Sequence, residues 1–332
     1  MVRSALVFVL LLGSAWARSR PLQIYFIDVE GGQATLLLSP SGQSMLIDTG
    51  WPGFNGRDAD RIVTVATGLG LHRIDYVVIT HYHRDHVGGI AQLAERIRIG
   101  TLVDHGPNLE KSEDARQDYA AYEKVVAQTQ HLVVKAGDVI PISGIKVDVL
   151  SSAGKDIKAP LPGAGLPNPL CAEAGHPRDD PTENARSVGL LISYERFRFL
   201  DLGDLTQQRE LHLVCPKNLI GTVDVFLVTH HGMDISNAKP LVWAVHPRVA
   251  IMNNGEHKGG SPKAWEIVHS SPGLVDLWQL HYAADAGQDH NVPEPFIANV
   301  DERSDGHYIS VIGNPDGRFS VTNSRNGVRK DY

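Results

Sequence analysis

The feature that most constrains this chain is a cluster of three histidines and one aspartate within six consecutive residues. The segment THYHRDHVGG at positions 80–89 carries them as His81, His83, Asp85 and His86. The apolar run YVVI precedes it, and a short run rich in β-branched residues is typical of a buried strand. Imidazole nitrogens and carboxylate oxygens are common zinc ligands. The cluster therefore indicates a metal site at a strand end rather than a polar loop.

Other polar groups follow predicted buried strands in the same way. They are Asp48 after SMLI, His105 after TLVD, Asp204 after FRFLDLG, and the pair His230 and His231 after VFLVT. Ligand sites in α/β proteins lie at the carboxyl ends of the strands. We therefore expect these side chains to converge on the histidine cluster.

Four adjacent groups suit two metal ions better than one tetrahedral ion. His81 and His83 are two residues apart, so both point to one side of an extended segment and are assigned to one ion. Asp85 and His86 are assigned to the other ion. Asp204 is placed to bridge the two ions, and one histidine of the pair after VFLVT completes the second site. Two ions a few ångströms apart would lower the pKa of a shared water and stabilise a developing oxyanion.

The rest of the chain alternates predicted strands and helices without a clear linker. Helical spacing follows Asp58, which is placed to cap a helix, and the stretch 111–130 is charged and helix-forming. DVIPISGIKVDVLSS and GHYISVIGNPDGRFSVTNS predict β-hairpins, and Ser261-Pro262 marks a helix start. Residues 153–183, rich in proline and glycine, predict a long loop. We expect one mixed α/β domain over residues 18–332.

Residues 1–17 have the pattern of a secretory signal peptide. MVRSALVFVLLLGSAWA has a basic start at Arg3, a short apolar core and the small-x-small exit Ala15-Trp16-Ala17. The core is shorter than the roughly 20 apolar residues of a spanning helix; a buried helix or a retained anchor is the alternative. We expect cleavage after Ala17, a periplasmic or secreted mature chain, and no transmembrane segment once the signal is removed.

The net charge limits the kinds of partner that the chain can bind, and the two cysteines allow one disulfide. The net charge of −7 argues against a general nucleic-acid or membrane surface, which needs clustered Lys and Arg. Cys171 and Cys215 either close a disulfide, as exported proteins permit, or remain two buried thiols, and their spacing fits no cysteine-based zinc motif. None of these features sets the oligomeric state.

These motifs resemble those of the metallo-β-lactamase superfamily. THYHRDHVGG resembles its His-x-His-x-Asp-His signature. FIDVEGGQATLLL, LIDTG, FLDLGDL and DVFLVTHHG resemble the subgroup that contains the hydrolase domain of bacterial DNA-uptake competence proteins, and phosphorylcholine esterase is similar. The resemblance covers residues 22–262. It implies an α/β fold, a four-layer αβ/βα sandwich, with a binuclear zinc site between the two sheets.

The resemblance also implies a role for each motif residue. The implied ligands are His81 and His83 for the first zinc, Asp85, His86 and His231 for the second, and Asp204 as the bridge. His230 is implied to face the substrate or the transition state, with the reverse assignment of the pair as the alternative. Asp48 is implied to fix a ligand histidine through its outer ring nitrogen, and Asp28 has the same interpretation.

Two departures from the family pattern stand out. Lactamases and glyoxalase-type relatives supply a third histidine to the first zinc, where this chain has Asn184 in ENARSVGLLI. Asn184 and Ser187 are candidates to approach that ion or to orient substrate, and His105 and His176 are candidates for a replacement ligand, of which His105 is the better. Relatives also carry an Asp where this chain has Gln33.

The segment NNGEHKGGSP follows another predicted strand end. We expect His257 to line the pocket and Lys258 to meet an anionic substrate. His281, in LWQLHYA, is expected to be a core or surface histidine rather than a ligand.

Together these patterns predict an exported binuclear zinc hydrolase with two Zn²⁺ ions per chain. We expect a metal-bound hydroxide to attack a small-molecule phosphoester or phosphodiester. A β-lactam, lactone or thioester is the alternative substrate, although β-lactam hydrolysis calls for a third histidine on the first zinc. A zinc-containing binding protein without catalysis is the alternative from another class.

Overall fold

The computed structural model describes residues 20–301 and 305–332. The predicted signal peptide, residues 1–17, lies outside the described residues. The strands, in chain order, are β1 (Leu22–Phe26), β2 (Thr35–Leu38), β3 (Ser44–Ile47), β4 (Arg73–Val78), β5 (Arg98–Asp104), β6 (Gln130–Val133), β7 (Val139–Ile140), β8 (Lys146–Ser152), β9 (Lys155–Asp156), β10 (Gly189–Tyr194), β11 (Phe197–Asp201), β12 (Val225–Leu227), β13 (Val249–Met252), β14 (Asp276–His281), β15 (Ile297–Asn299), β16 (Ile309–Gly313), β17 (Phe319–Asn323) and β18 (Arg329–Asp331). The α-helices are α1 (Arg57–Gly68), α2 (Arg84–Val87), α3 (Ile90–Ala94), α4 (Glu113–Val126), α5 (Gln207–Val214), α6 (Lys239–Val245) and α7 (Pro262–His269).

The strands form two mixed sheets. The first has the order β18-β17-β16-β1-β2-β3-β4-β5-β6. The second has the order β15-β14-β13-β12-β11-β10-β8-β7, with β9 paired to β8. The two predicted hairpins, β7–β8 and β16–β17, are both antiparallel pairs, which confirms them. The pairs β3–β4–β5 and β11–β12–β13 are parallel, so their carboxyl ends lie at one edge of each sheet.

One hydrophobic core lies between the two sheets. It contains Phe26 and Ile47 of the first sheet and Phe199 and Ile251 of the second, all with almost no exposure. The rings of Phe26 and Phe199 meet edge to face, with their centroids 5.5 Å apart. Successive strand residues point to opposite faces, so the residues next to these point outward, towards the helices.

Helices cover both outer faces. On the first sheet, Ile62 of α1 and Leu93 of α3 pack against Leu46, the neighbour of Ile47. On the second sheet, Val242 of α6 packs against the face that carries Phe226. The order helix, sheet, sheet, helix confirms the predicted four-layer sandwich.

The predicted helix start at Ser261 is confirmed, whereas that at Asp58 is wrong. The Ser261 hydroxyl accepts a hydrogen bond from the Ala264 backbone N–H, which satisfies a free amide of the first turn of α7. Helix α1 instead begins at Arg57 after Gly56. Asp58 lies inside the helix, and its carboxylate accepts a hydrogen bond from the Trp51 backbone N–H at 2.8 Å. It therefore holds the loop before the helix.

Cys171 and Cys215 form a disulfide, with their Cα atoms 5.7 Å apart. This bond ties the loop 153–183 to the end of α5, just after Val214. Within residues 20–301 and 305–332, no helix is both long and apolar enough to cross a membrane.

Candidate metal centre

The carboxyl ends of four strands bring the predicted site residues together. Asp48 follows β3 and His81 follows β4, both in the first sheet. Asp204 follows β11 and His231 follows β12, both in the second sheet. The candidate centre therefore lies between the two sheets at their carboxyl edge, where the sequence places it.

Four buried side chains form the tightest group. The ligand atoms of Asp85, His86, Asp204 and His231 all lie within 4.8 Å of one another. The His86 Nε2 atom lies 3.2 Å from Oδ2 of Asp85 and 3.2 Å from Oδ2 of Asp204. The His231 Nε2 atom lies 3.1 Å from Oδ2 of Asp85. These are the residues that the sequence assigns to the second ion, together with the bridging carboxylate.

His81 and His83 lie beside this group. The His81 Nε2 atom is 3.0 Å from Nδ1 of His83 and 3.8 Å from Oδ2 of Asp204. His83 is partly exposed, and its Nε2 lies 3.3 Å from Oε1 of Glu110. Asp204 therefore lies between the two groups of candidate ligands, as a bridging carboxylate must.

Asp48 contacts the outer nitrogen of a candidate ligand, as the sequence predicts. Its Oδ2 lies 2.7 Å from Nδ1 of His86 and accepts a hydrogen bond from the Thr80 hydroxyl at 2.7 Å. Because an ionised carboxylate only accepts hydrogen bonds, Nδ1 of His86 carries the proton. This contact directs Nε2 towards the carboxylates of Asp85 and Asp204.

The group of four has the properties of a cation site. It places two carboxylates out of contact with water, and an unpaired buried charge is costly. Among the described residues, Oδ1 of Asp204 has no hydrogen-bond partner, although it is buried. Oxygen and nitrogen donors in this arrangement suit a divalent ion such as Zn²⁺, which would neutralise both carboxylates.

The shifted pKa values of His86 and His81 also fit a cation site. Burial opposes a charge on His86, but the carboxylates of Asp204, Asp85 and Asp48 outweigh it and hold the pKa of His86 well above 6.5. Burial and the neighbouring His86 lower the pKa of His81 well below 6.5. The carboxylates thus retain positive charge on His86, while His81 remains a neutral imidazole, the form that binds metal.

The paired histidines are not related as the sequence suggests. In an extended chain they would point to opposite sides, but both have a φ of 55°, in the left-handed region. As a result both rings reach Asp204: the His230 Nε2 lies 3.2 Å from Oδ2 and the His231 Nε2 lies 3.5 Å from Oδ1. They differ in that His231 also contacts Asp85, whereas Nδ1 of His230 lies 3.1 Å from the Ser236 hydroxyl.

The loop after β1 packs directly against the centre. A Cβ on Gly32 would lie 2.5 Å from the backbone oxygen of Asp85, so only glycine allows this approach. The Gln33 backbone N–H donates to that same oxygen at 3.1 Å. The Gln33 amide donates to Oδ2 of Asp201 at 2.9 Å, and burial raises the pKa of Asp201 to about 7. An amide at position 33 therefore meets a carboxylate that an aspartate there would repel.

His105 is buried, but it is engaged elsewhere. Its Nε2 lies 2.9 Å from Oε2 of Glu183, and the Glu183 Oε1 accepts a hydrogen bond from the Leu109 backbone N–H at 2.7 Å. This pairing lets His105 join two loops through Nε2, while its Nδ1 has no hydrogen-bond partner among the described residues. Its role as a replacement ligand for the first ion therefore stays a prediction. His176 lies exposed on the loop 153–183, as expected.

Asn184 lies at a cleft rather than among the ligands. Its side chain is buried, and its Oδ1 has no hydrogen-bond partner in the described part of the chain. It lines a cleft of about 470 Å³ together with Thr206, Asp234 and other residues. Ser187, three residues further on, contacts the candidate bridging residue: its hydroxyl accepts a hydrogen bond from the Asp204 backbone N–H at 3.3 Å.

His257 and Lys258 differ in the solvent exposure of their side chains. The His257 side chain is 65% exposed, and its Nδ1 lies 3.1 Å from Oδ1 of the exposed Asp285. Its place in the pocket stays a prediction. The side chain of Lys258, by contrast, contacts Oδ2 of Asp85 within hydrogen-bonding distance. The residue expected to meet an anionic substrate therefore contacts a candidate metal ligand.

A second charged group near β1 was not predicted. The His281 Nε2 lies 2.6 Å from Oδ1 of Asp28, and the Arg61 guanidinium donates to Asp28 and to Glu30 at 2.8 Å and 2.9 Å. His281 is thus a buried, satisfied histidine, as expected, and its partner is Asp28. The motif FIDVEGG contains both carboxylates but gives no sign of a partner so distant in sequence.

Comparison with known proteins identifies the class. Residues 27–168 match the family model described as Metallo-beta-lactamase superfamily, and these residues contain the histidine cluster. Residues 27–168 therefore form a metallo-β-lactamase superfamily domain, and this superfamily includes metal-dependent hydrolases.

The similar proteins support the predicted subgroup. ComE operon protein 3 of Bacillus subtilis is 23% identical over 250 residues, which are 71% of this chain and 28% of that protein. Recombination protein 2 of Haemophilus influenzae is 23% identical over 252 residues, 75% of this chain and 26% of that protein. Both support membership of the DNA-uptake competence subgroup. The chain spans little more than a quarter of the length of these relatives.

Solved structures are similar to this chain at low identity. The metallo-beta-lactamase fold protein YhfI from Bacillus subtilis is 12% identical, with a TM-score of 0.46, over 78% of this chain and 96% of that chain.

Proposed function

We propose that this chain is an exported, zinc-dependent phosphodiesterase or phosphoesterase. The observation that carries the proposal is the convergence of Asp85, His86, Asp204 and His231 on one buried point. When bound, two zinc ions would acidify a shared water and stabilise negative charge on the reacting phosphoryl group.

The chain's own residues would have two roles: some would bind the ions, and others would orient those ligands. Asp85, His86 and His231 would hold one ion, and His81 with His83 would hold the other. Asp204 contacts both sets through its carboxylate. Asp48 fixes the ring of His86 through Nδ1, and removing such a partner typically costs about 10–100-fold in metal affinity or activity.

His230 is the candidate for proton transfer. It lies beside Asp204 but contacts fewer of the ligands than His231 does, and the Ser236 hydroxyl holds its Nδ1. Burial lowers the pKa of His230 below its ordinary value of 6.5. A ring held in this way can deliver a proton to a leaving group or support a developing oxyanion.

The cleft that contains Asn184 is the candidate substrate site. Asn184 presents a buried amide there, and Arg178 and Lys263 lie on its walls. The carboxylate of Asp180, also on the wall, accepts hydrogen bonds from the Thr182 and Thr206 hydroxyls. The cleft thus combines two cationic side chains and an amide with the carboxylates of Asp179, Asp180 and Asp234, so the preference for a phosphoester rests on the two-ion centre rather than on the charge of the cleft.

The test is turnover of matched chromogenic substrates by the zinc-loaded mature chain. We expect hydrolysis of a bis-nitrophenyl phosphodiester, little hydrolysis of a chromogenic cephalosporin, and loss of activity in Asp85→Asn. Faster turnover of the cephalosporin would establish the lactamase alternative. Bound zinc with no turnover of either substrate would establish a binding protein.

Export is a separate part of the proposal. The disulfide between Cys171 and Cys215 supports it, because disulfides persist in oxidising compartments. Cleavage after Ala17 would place the mature N-terminus at Arg18 in the periplasm or the medium. Sequencing the N-terminus of the protein from each cell fraction tests this, and a chain that keeps Met1 in the cytoplasm would contradict it.

A further inference from the structure

Lys258 contacts the same carboxylate oxygen that the second ion needs. Its Nζ atom lies within hydrogen-bonding distance of Oδ2 of Asp85. That oxygen is also 3.2 Å from Nε2 of His86 and 3.1 Å from Nε2 of His231. An ion bound between these three groups would therefore share a ligand atom with an ammonium group.

The backbone fixes the position of Lys258. The Gly255 backbone N–H donates to the Lys258 carbonyl at 2.8 Å, and the Gly260 N–H donates to the His231 carbonyl at 2.8 Å. Gly31 packs against the same loop, since a Cβ on it would lie 3.0 Å from the Lys258 Cβ. The loop is thus tied to a candidate ligand on one side and to the loop after β1 on the other.

The side chain of Lys258 can reach solvent. It is 29% exposed, and its Nζ lies 4.8 Å from the centre of the Trp51 ring. A lysine stem is flexible and its ammonium is well hydrated. The ammonium already lies over the Trp51 ring while it contacts Asp85. Lys258 can therefore leave Asp85 for solvent when a stronger cation arrives.

We propose that Lys258 is a built-in competitor for the second metal ion. This rests on the proposed two-ion function. The ammonium occupies Oδ2 of Asp85 when the second ion is absent and repels that ion when it binds. The chain consequently binds two ions with unequal affinity: tightly at His81, His83 and Asp204, and weakly at the group that contains Asp85. Lys258 acts through Asp85 and is a positioning residue.

The test is a zinc titration against a chromophoric chelator, with the metal-free mature chain. The wild-type chain should show one tight and one weak ion. Lys258→Met keeps a flexible stem of similar length but removes the charge, so we expect it to tighten the weak ion at least tenfold and leave the tight ion unchanged. Lys258→Arg keeps the charge and should keep the difference in affinity between the two ions. Lys263→Met removes a charge that makes no contact with Asp85, and it should also keep this difference in affinity.

Asp85→Asn assigns the weak ion to its site. This variant should lose the weak ion, and adding Lys258→Met to it should change nothing further, because the two residues act on one oxygen. If Lys258→Met fails to fold by circular dichroism, Lys258→Gln replaces it. Unequal binding that neither variant alters, or a weaker second ion in Lys258→Met, would overturn the competitor role while leaving the proposed function standing. A wild-type chain that binds no zinc would overturn both.

Discussion

Two of the candidate ligands, His86 and Asp85, are held by partners that the ligand motif does not contain. Asp48 comes from β3 and fixes His86, while Gln33 comes from the loop after β1 and fixes the backbone of Asp85. The sequence predicts the ligands themselves, because three histidines and an aspartate after a buried strand have few other uses. It could not predict that Lys258 contacts Asp85, since 173 positions separate them and no local pattern connects them.

Asp85 provides the simplest test of the ligand assignment. Asp85→Ala removes an anionic ligand and the partner of both His86 and His231, so we expect the second ion to be lost and the rate to fall by several orders of magnitude. The fold should survive, because the change lies at the edge of the sheets rather than in the core. Metal analysis, turnover and circular dichroism check the three parts. Asp285→Ala, which removes an exposed carboxylate, is the control; near-full turnover by Asp85→Ala would refute the assignment.

The paired histidines give a second test at the residue scale. His231 contacts both Asp85 and Asp204, so His231→Ala should lower zinc occupancy and rate together. His230→Ala should keep its zinc and lose only rate, by about 10²–10⁴-fold if the ring transfers a proton or supports an oxyanion. Zinc stoichiometry decides. Loss of metal in His230→Ala, with full occupancy in His231→Ala, would mean that the two roles are exchanged.

At the scale of elements, strand ends and helix starts explain the placement of the site. Parallel neighbours such as β3 and β4 end at one edge, which is why clusters far apart in sequence could be expected to meet. Ser261 caps α7 as predicted, but Asp58 does not cap α1, because Gly56 precedes that helix and Asp58 binds the Trp51 amide instead. Local patterns therefore locate elements, while tertiary hydrogen bonds decide the role of a given polar residue.

Glu210 of α5 shows how an element supports the site. Its two carboxylate oxygens accept hydrogen bonds from the Asn237 and Ala238 backbone N–H groups at 2.8 Å and 2.7 Å, in the segment that follows the paired histidines. Burial raises the pKa of Glu210 from 4.5 to about 7. The folded state therefore binds this proton more tightly than the unfolded state does, and the stabilisation it provides is lost as the pH rises from about 4.5 to about 7.

Glu210→Gln tests this directly. Over that pH window the wild-type chain should lose up to about 3 kcal/mol of unfolding free energy through this group, and the variant should lack that contribution. Glutamine has one acceptor oxygen in place of two, which shifts the stability of the variant by an amount that does not depend on pH and so does not affect the slope. Urea unfolding of metal-free protein at pH 5 and pH 7.5 gives the comparison. Equal pH dependence in both proteins would contradict the raised pKa.

At the scale of the whole molecule, the sequence does not reveal which strands pair when they lie far apart along the chain. The hairpin of β16 and β17 was predicted, yet its position was not: β16 pairs with β1, which joins the two ends of the described chain in one sheet. The same limit applied to the cysteines. Their number left a disulfide and two free thiols open, and only the fold brings Cys171 against the end of α5.

The disulfide gives a prediction for the stability of the whole molecule. It closes a loop with a sequence separation of 44 residues, and constraining the unfolded chain over such a loop is worth about 4 kcal/mol at most. Cys171→Ser together with Cys215→Ser should therefore unfold at lower urea concentration than the wild type, by up to this amount. Reduction of the wild-type chain should reproduce the loss, and reduction of the double variant should change nothing further. The bond lies away from the candidate ligands, so zinc stoichiometry and turnover should stay unchanged at temperatures where both proteins are folded. An unchanged free energy of unfolding would show that the bond does not constrain the unfolded chain.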